Sequence, residues 1–234
     1  MRAAGATVRK RIAMATYALA AMMSIAAPSA RAQTPPVEPP AMSPQWSPAL
    51  RGAVDRLADS ARVAGISSAP LYLKAAEGVL KRAPDERVAA AVRRLLDELR
   101  EARRNLGPSA TDAELVAGAS VLHAGLDAGA LRRVRDARRA TRPDGSLVMP
   151  LVVLADLVAR HVTPDVATAS VAALTERGAP DGELASLRAH IEREIGRGES
   201  PDGATRARTA AILRAVPANE PRDGPTPLDP RMRP

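Results

Sequence analysis

The chain has 234 residues, with 34 basic and 26 acidic side chains, three histidines and no cysteine. The lack of cysteine excludes disulfides, thiolate metal sites, cysteine nucleophiles and lipid attachment through a cysteine. Aromatic residues make up only 1% of the sequence, which argues against platforms that stack nucleic-acid bases or sugars.

The first 32 residues have the pattern of an export signal. A basic start is followed by an uncharged run from Ile12 to Ala27, and Ala30-Arg31-Ala32 matches the small-x-small pattern before a cleavage point at Gln33. The alternative is an uncleaved membrane anchor, but the uncharged run is short and rich in alanine. We therefore expect a periplasmic or secreted protein whose only membrane contact is through the signal peptide before cleavage.

Cleavage would change the charge of the protein. Five of the 34 basic residues and none of the 26 acidic residues lie before Gln33, so the remaining chain carries 29 basic side chains and a net charge of about +3. This modest charge gives little reason to expect nucleic-acid binding.

Two proline-rich segments border the predicted domain. Residues 33–47 contain five prolines and are predicted to be a tether, because proline removes hydrogen-bond donors and favours extended backbone. Residues 217–234 contain six prolines without apolar periodicity and are predicted to be a disordered tail. The helical domain is predicted to span residues 48–216.

Apolar residues recur with helical spacing through most of residues 48–216. No stretch of useful length alternates apolar and polar residues as a β-strand would. The sequence also contains helix-start signals, of which the capping box from Thr111 to Glu114 is one example. The apolar positions expected in the first three helices are Leu50, Val54, Leu57, Ala61; Leu71, Leu73, Ala76, Val79, Leu80; and Val88, Val92, Leu95, Leu99, Ala102.

The centre of the domain is predicted to be a helical hairpin between Ser146 and Asp181. Residues 147–158 are nearly all aliphatic, with Asp156 the one charge, so neighbouring helices should cover this helix on most sides. Thr163 is the expected N-cap of the second helix, which should end at Gly178.

The fold class predicted from these patterns is all-α. Pro-Asp pairs begin several helices, and the pairs at Pro164 and Pro201 are 37 residues apart. That spacing is typical of stacked helical hairpins. We expect serial helical hairpins that form either an irregular bundle or a short α-solenoid-like array.

Two segments carry a resemblance. LYLKAAEGVLKRAPDERVAAAVRRLLDELREAR and PLVVLADLVARHVTPD are similar to uncharacterised exported helical proteins of GC-rich bacteria. The resemblance covers most of residues 68–196 and implies an exported location. It transfers no functional residue.

Recognisable catalytic motifs are missing from the sequence, including phosphate loops, nucleophile elbows and the zinc-protease helix. We predict no catalytic, cofactor or metal residues and no cofactor, and we expect that the protein is not an enzyme. His123 and His161 are expected at helix C-termini, and His190 is expected to pair with Glu194. The alternative is an unrecognised periplasmic hydrolase or metal-dependent enzyme that uses Asp156, His161 and His190.

An arginine cluster is the one feature that suggests specific binding. It comprises Arg132, Arg133, Arg135, Arg138, Arg139 and Arg142 on one predicted helix. We predict that Arg132, Arg135 and Arg139 lie on one side and contact an envelope protein or an anionic surface, because guanidinium groups bind carboxylates and phosphates through two donors. The alternative interpretation is that these arginines only keep the helix soluble.

These patterns favour an exported helical scaffold or adaptor that binds another component of the cell envelope. We expect it to be monomeric or weakly associating and to have no nucleic-acid partner.

Overall fold

The computed structural model describes residues 46–216, and this part of the chain is all-helical, as predicted. It contains nine helices and no strand. Their bounds are α1 Pro48–Val63, α2 Ala69–Leu80, α3 Asp85–Leu106, α4 Asp112–His123, α5 Ala128–Thr141, α6 Val148–Ala159, α7 Pro164–Glu176, α8 Asp181–Gly196 and α9 Pro201–Ala215.

The helices pack in a bundle-like arrangement with a serial order of contacts. All substantial contacts among the described helices join helices that are one or two positions apart in the chain. The odd-numbered helices form one row from α1 to α9, and α4, α6 and α8 form a second row. Serial contacts of this kind are characteristic of helical-repeat arrays, in which each unit touches only its neighbours.

Hydrogen bonds show that successive odd-numbered helices run in the same direction. At the start of α1, the hydroxyl of Ser47 donates to Asp85 at the start of α3. At the other end, Arg103 of α3 donates at 2.8 Å to the carbonyl of Gly65, which lies just after α1. α1 and α3 begin 37 residues apart, and so do α7 and α9. The repeat predicted from the proline spacing therefore corresponds to pairs of parallel helices.

Helix α6 lies at the centre of the core, as its aliphatic sequence predicts. Leu151, Leu154 and Leu157 are fully buried, and α4, α7 and α8 pack around the helix. The predicted capping box of α4 also holds α6 in place. Besides capping α4, the buried carboxylate of Glu114 accepts a hydrogen bond from the backbone N–H of Leu147 at 2.8 Å. One side chain thus joins the starts of two parallel helices.

The turn between α6 and α7 differs from the prediction in one respect. Thr163 occupies the N-cap position, but its side chain does not cap α7. Instead, its hydroxyl donates to Asp202 at 3.0 Å, and its backbone N–H donates to the same carboxylate at 2.8 Å. The residue therefore connects α7 to α9, a long-range partner that local sequence does not reveal.

Burial in the first three helices also departs from the predicted apolar stripes. Leu73 and Leu80 are 60% and 80% exposed, because α2 buries the face that carries Leu71 and Tyr72. In α3, Leu96 is fully buried and Leu95 is only partly buried. Trp46, placed in the predicted tether, is buried in the core.

The predicted signal peptide, the predicted tail and the tether before Trp46 lie outside the described residues. Among the helices between residues 46 and 216, none combines the length and the apolar character needed to cross a membrane.

Candidate functional site

Helix α5 carries the arginine cluster and lies between α3 and α7 in the row of odd-numbered helices. Its start is set by Asp127, whose carboxylate accepts from the backbone N–H of Ala130 at 3.0 Å. Leu131 and Val134 are fully buried, and most of the arginines surround this narrow apolar stripe. The helix is therefore amphipathic, with a polar surface made largely of guanidinium groups.

The three arginines predicted to bind a partner lie together, and all three bond to the end of α3. Arg132 donates to the side-chain oxygen of Asn105 at 2.6 Å, Arg135 donates to the backbone carbonyl of Asn105, and Arg139 donates to the carbonyl of Leu106 at 3.0 Å. Carbonyls in the last turn of a helix lack partners within the helix and carry its partial negative charge. Arginine is well suited to this position because it supplies several donors and a permanent charge.

Asn105 is the centre of this contact. It is buried, and its amide nitrogen donates to the carboxylate of Glu101 at 2.7 Å and to the Glu101 carbonyl at 2.8 Å. Hydrogen bonds from Arg104 and then from Asn105 lower the pKa of Glu101 below its ordinary value. The network extends through Asn105 to Arg132, so α3 and α5 are joined by charged and polar groups as well as by packing.

Two other arginines of the cluster bond to the α7–α8 region. Arg138 is 2% exposed and donates to Asp181 at the start of α8 at 2.6 Å. Arg142 donates to the carbonyl of Gly178 at 3.0 Å, and Thr141 donates to the carbonyl of Thr175 at 3.1 Å. Sequence reasoning missed these roles because no local pattern distinguishes a buried arginine from an exposed one.

Arg133 differs from the other five arginines of the cluster. It is exposed and makes no hydrogen bond or ion pair within residues 46–216. It contributes to a shallow depression of about 560 Å³ along the seam between α5 and α7. The residues that line this depression are Gly129, Arg132, Arg133, Asp136, Ala137, Ala140 and Glu176. Arg133 is thus the arginine of α5 whose donors all remain available to a partner.

The residues named for the alternative enzyme make separate contacts. Asp156 pairs with Arg188 at 3.0 Å and with Arg160 at 3.7 Å. His190 lies 3.6 Å from Glu194, as predicted. His161 is exposed, and its backbone adopts a positive φ of 66° in the turn after α6. Among the described residues, Asp156 therefore forms no hydrogen bond or ion pair with either histidine.

The remaining histidine, His123, lies at the end of α4 as predicted, and its ring nitrogen is 3.1 Å from Glu98 of α3. Glu98 also accepts from Arg94 of the same helix at 3.1 Å. Within residues 46–216 no group of three or more histidine and carboxylate side chains is arranged to hold a metal ion.

No protein-family model, curated protein or solved structure matches the chain. No functional residue can therefore be carried over from a relative. The candidates for binding are the exposed arginines of α5 itself, with Arg133 unbonded and Arg132 and Arg139 each bonded to the end of α3.

Proposed function

We propose that this protein is an exported helical scaffold or adaptor that binds another component of the cell envelope. The observation that carries the proposal is the serial packing of the helices. An array in which only near neighbours touch leaves long faces open along its length, and repeat proteins use such faces to bind partners.

The proposed contact surface is the exposed side of α5 with the adjoining seam to α7. Arg132 and Arg139 are exposed there, and each uses one donor to bond to the end of α3. Their remaining donors can bind carboxylate or phosphate groups of a partner. Because the internal hydrogen bonds restrict both side chains, less conformational entropy is lost when a partner binds.

Arg135 has a smaller part in the proposed surface. Its side chain is 21% exposed and already bonds to Asp136 as well as to Asn105. We assign the contact with the partner mainly to Arg132, Arg133 and Arg139, and we assign Arg135 the task of holding α5 against α3.

Replacing several arginines at once would not test this proposal cleanly, because it would also weaken the junction between α3 and α5. A photoreactive residue placed at Ala140 avoids this problem. Ala140 is exposed on α5 and lines the depression beside the arginines. The matched control is Ala90, an exposed alanine on α3.

We expect the Ala140 probe to crosslink one envelope protein in intact cells and the Ala90 probe not to do so. Purified, that protein should bind the natural chain with an affinity that falls as salt rises, because exposed charge interactions are screened. Identical crosslinking from both positions, or no product from Ala140, would contradict the proposed surface.

A further inference from the structure

The starts of α5 and α7 form a second depression, of about 250 Å³, at the other end of the seam. The two helices run in the same direction, so their N-terminal ends lie side by side. The residues that line this depression are Gly125, Leu126, Asp127, Gly129, Ala130, Arg133, Pro164, Asp165 and Thr168. We call it the N-terminal depression.

Thr168 is a buried polar side chain that lines this depression. It is 3% exposed, yet its hydroxyl forms no hydrogen bond with any described residue. By contrast, the hydroxyls of Thr175 and Thr205 each donate to the carbonyl four residues earlier in the helix. The oxygen of Thr209 also lacks a partner, but it is sealed from solvent.

The hydroxyl oxygen of Thr168, unlike that of Thr209, remains reachable from solvent, so it can bond to water or to a ligand. Thr168 lines an open depression. A ligand that enters the depression can therefore replace water as the hydrogen-bond partner of this hydroxyl.

The charges around the N-terminal depression are also unmatched. Arg133 and Asp165 are both exposed, and neither forms an ion pair within residues 46–216. Asp127 uses one carboxylate oxygen to cap α5 at 3.0 Å. One guanidinium group and two carboxylates therefore line the same small space without pairing with each other.

This mixture of charges limits the kind of ligand that fits. A simple anion would be repelled by Asp127 and Asp165, and a simple cation would be repelled by Arg133 and by the positive ends of two helix dipoles. A molecule with both charges meets neither difficulty. We propose that the N-terminal depression binds a small zwitterion that carries a carboxylate and an ammonium group.

In this proposal the ligand carboxylate bonds to Arg133 through two donors, and the ammonium group bonds to Asp165. The hydroxyl of Thr168 donates to the carboxylate or accepts from the ammonium group. The volume is below the range of sites for drug-sized molecules, which suits a free amino acid or the end of a very short peptide. The site goes beyond the proposed scaffold function and does not depend on it.

The test is a titration of the purified full chain, labelled with ¹⁵N, followed through its amide NMR signals. The probes are L-alanine and L-alanyl-L-alanine, which separate a free amino acid from a peptide as the source of the zwitterion. Acetate and ethylammonium are the single-charge controls. We expect saturable shifts at Ala130 and Thr168 with one of the two zwitterions, at a dissociation constant of about 1 mM.

Two pairs of variants complete the test. Arg133→Gln should weaken binding about 10-fold, whereas Arg93→Gln, at an exposed arginine of α3, should leave it unchanged. Thr168→Val should weaken binding without lowering the melting temperature, because it removes an unbonded hydroxyl. Thr205→Val should lower the melting temperature, because it removes a hydroxyl that is bonded at 2.7 Å.

The proposal is overturned if neither zwitterion gives saturable shifts, if acetate binds as tightly as alanine, or if Arg133→Gln binds like Arg93→Gln. A melting temperature that falls in Thr168→Val as far as in Thr205→Val would remove Thr168 from the site.

Discussion

Helices α5 and α6 are both near the middle of the array, but they are held there by different forces. α6 is almost entirely aliphatic, with Leu151, Leu154 and Leu157 fully buried, and it is held by apolar packing. α5 has a narrow apolar stripe, and its arginines bond to the end of α3 and to the α7–α8 region. Neighbouring helices of one array are thus joined in two different ways.

The two kinds of contact differ in specificity. Apolar packing stabilises a helix wherever enough surface is buried, and it has no preferred direction. A guanidinium group that donates to the last carbonyls of a helix requires that helix to end at one place. In this protein we therefore expect α6 to contribute more to the stability than α5 does, and α5 to fix the relative positions of its neighbours.

The largest expected loss of stability follows from a substitution in α6. Leu154→Ala should lower the free energy of unfolding by about 2 to 5 kcal/mol, because it leaves a cavity at a fully buried position. The matched control is Leu73→Ala, at a helical leucine that is 60% exposed and should cost well under half as much. Urea denaturation of both variants measures the difference. Equal losses would show that α6 is not the centre of the core.

The next effect concerns the buried arginine of α5. Asp181→Ala should cost about 2 kcal/mol, because it leaves the charge of Arg138 buried without its partner. Arg138→Met should cost less, because it fills a similar space and leaves a carboxylate that is 48% exposed and can be hydrated. Thermal unfolding of the two variants tests this order. The reverse order would mean that the arginine is stabilised by contacts other than Asp181.

A smaller effect is expected at Tyr72, which donates from its hydroxyl to Asp55 at 2.9 Å. Burial and then this hydrogen bond raise the pKa of Tyr72 above its ordinary value of 10.0. The raised pKa means that the neutral phenol stabilises the folded state below pH 10, and that this stability is lost as pH rises through the folded pKa.

Tyr72→Phe should therefore cost about 1 kcal/mol at neutral pH. The difference between the natural chain and the variant should shrink as the pH rises above the ordinary pKa of 10.0. Denaturation curves across this pH range measure it. A difference that stays constant to the highest pH would contradict the assigned hydrogen bond.

Much of the fold follows from local signals in the sequence. Proline at the first helical position and the capping side chains of Ser47, Thr111 and Asp127 predict where helices begin. The aliphatic run of α6 predicts its central position. These signals act within a few residues, which is why a single sequence is enough to read them.

The partners of the arginines could not be predicted in the same way. Arg132 and Arg133 are adjacent and chemically identical. Arg132 is bonded only because the fold places it beside Asn105 of α3, which lies 27 residues earlier in the chain. The exposure of Leu73 and Leu80 has a similar cause. Which face of α2 is buried depends on its packing against α3, where Gly78 lies close to Val88.

The division of the arginines on α5 into bonded side chains and one free side chain is tested most directly by comparing Arg132→Gln with Arg133→Gln. The measurement is the free energy of unfolding of each variant by urea denaturation. We predict that Arg132→Gln loses about 1 kcal/mol, because its bond to Asn105 at 2.6 Å is removed, and that Arg133→Gln changes by less than about 0.5 kcal/mol. Equal effects in the two variants would contradict the division of the α5 arginines into bonded and unbonded side chains.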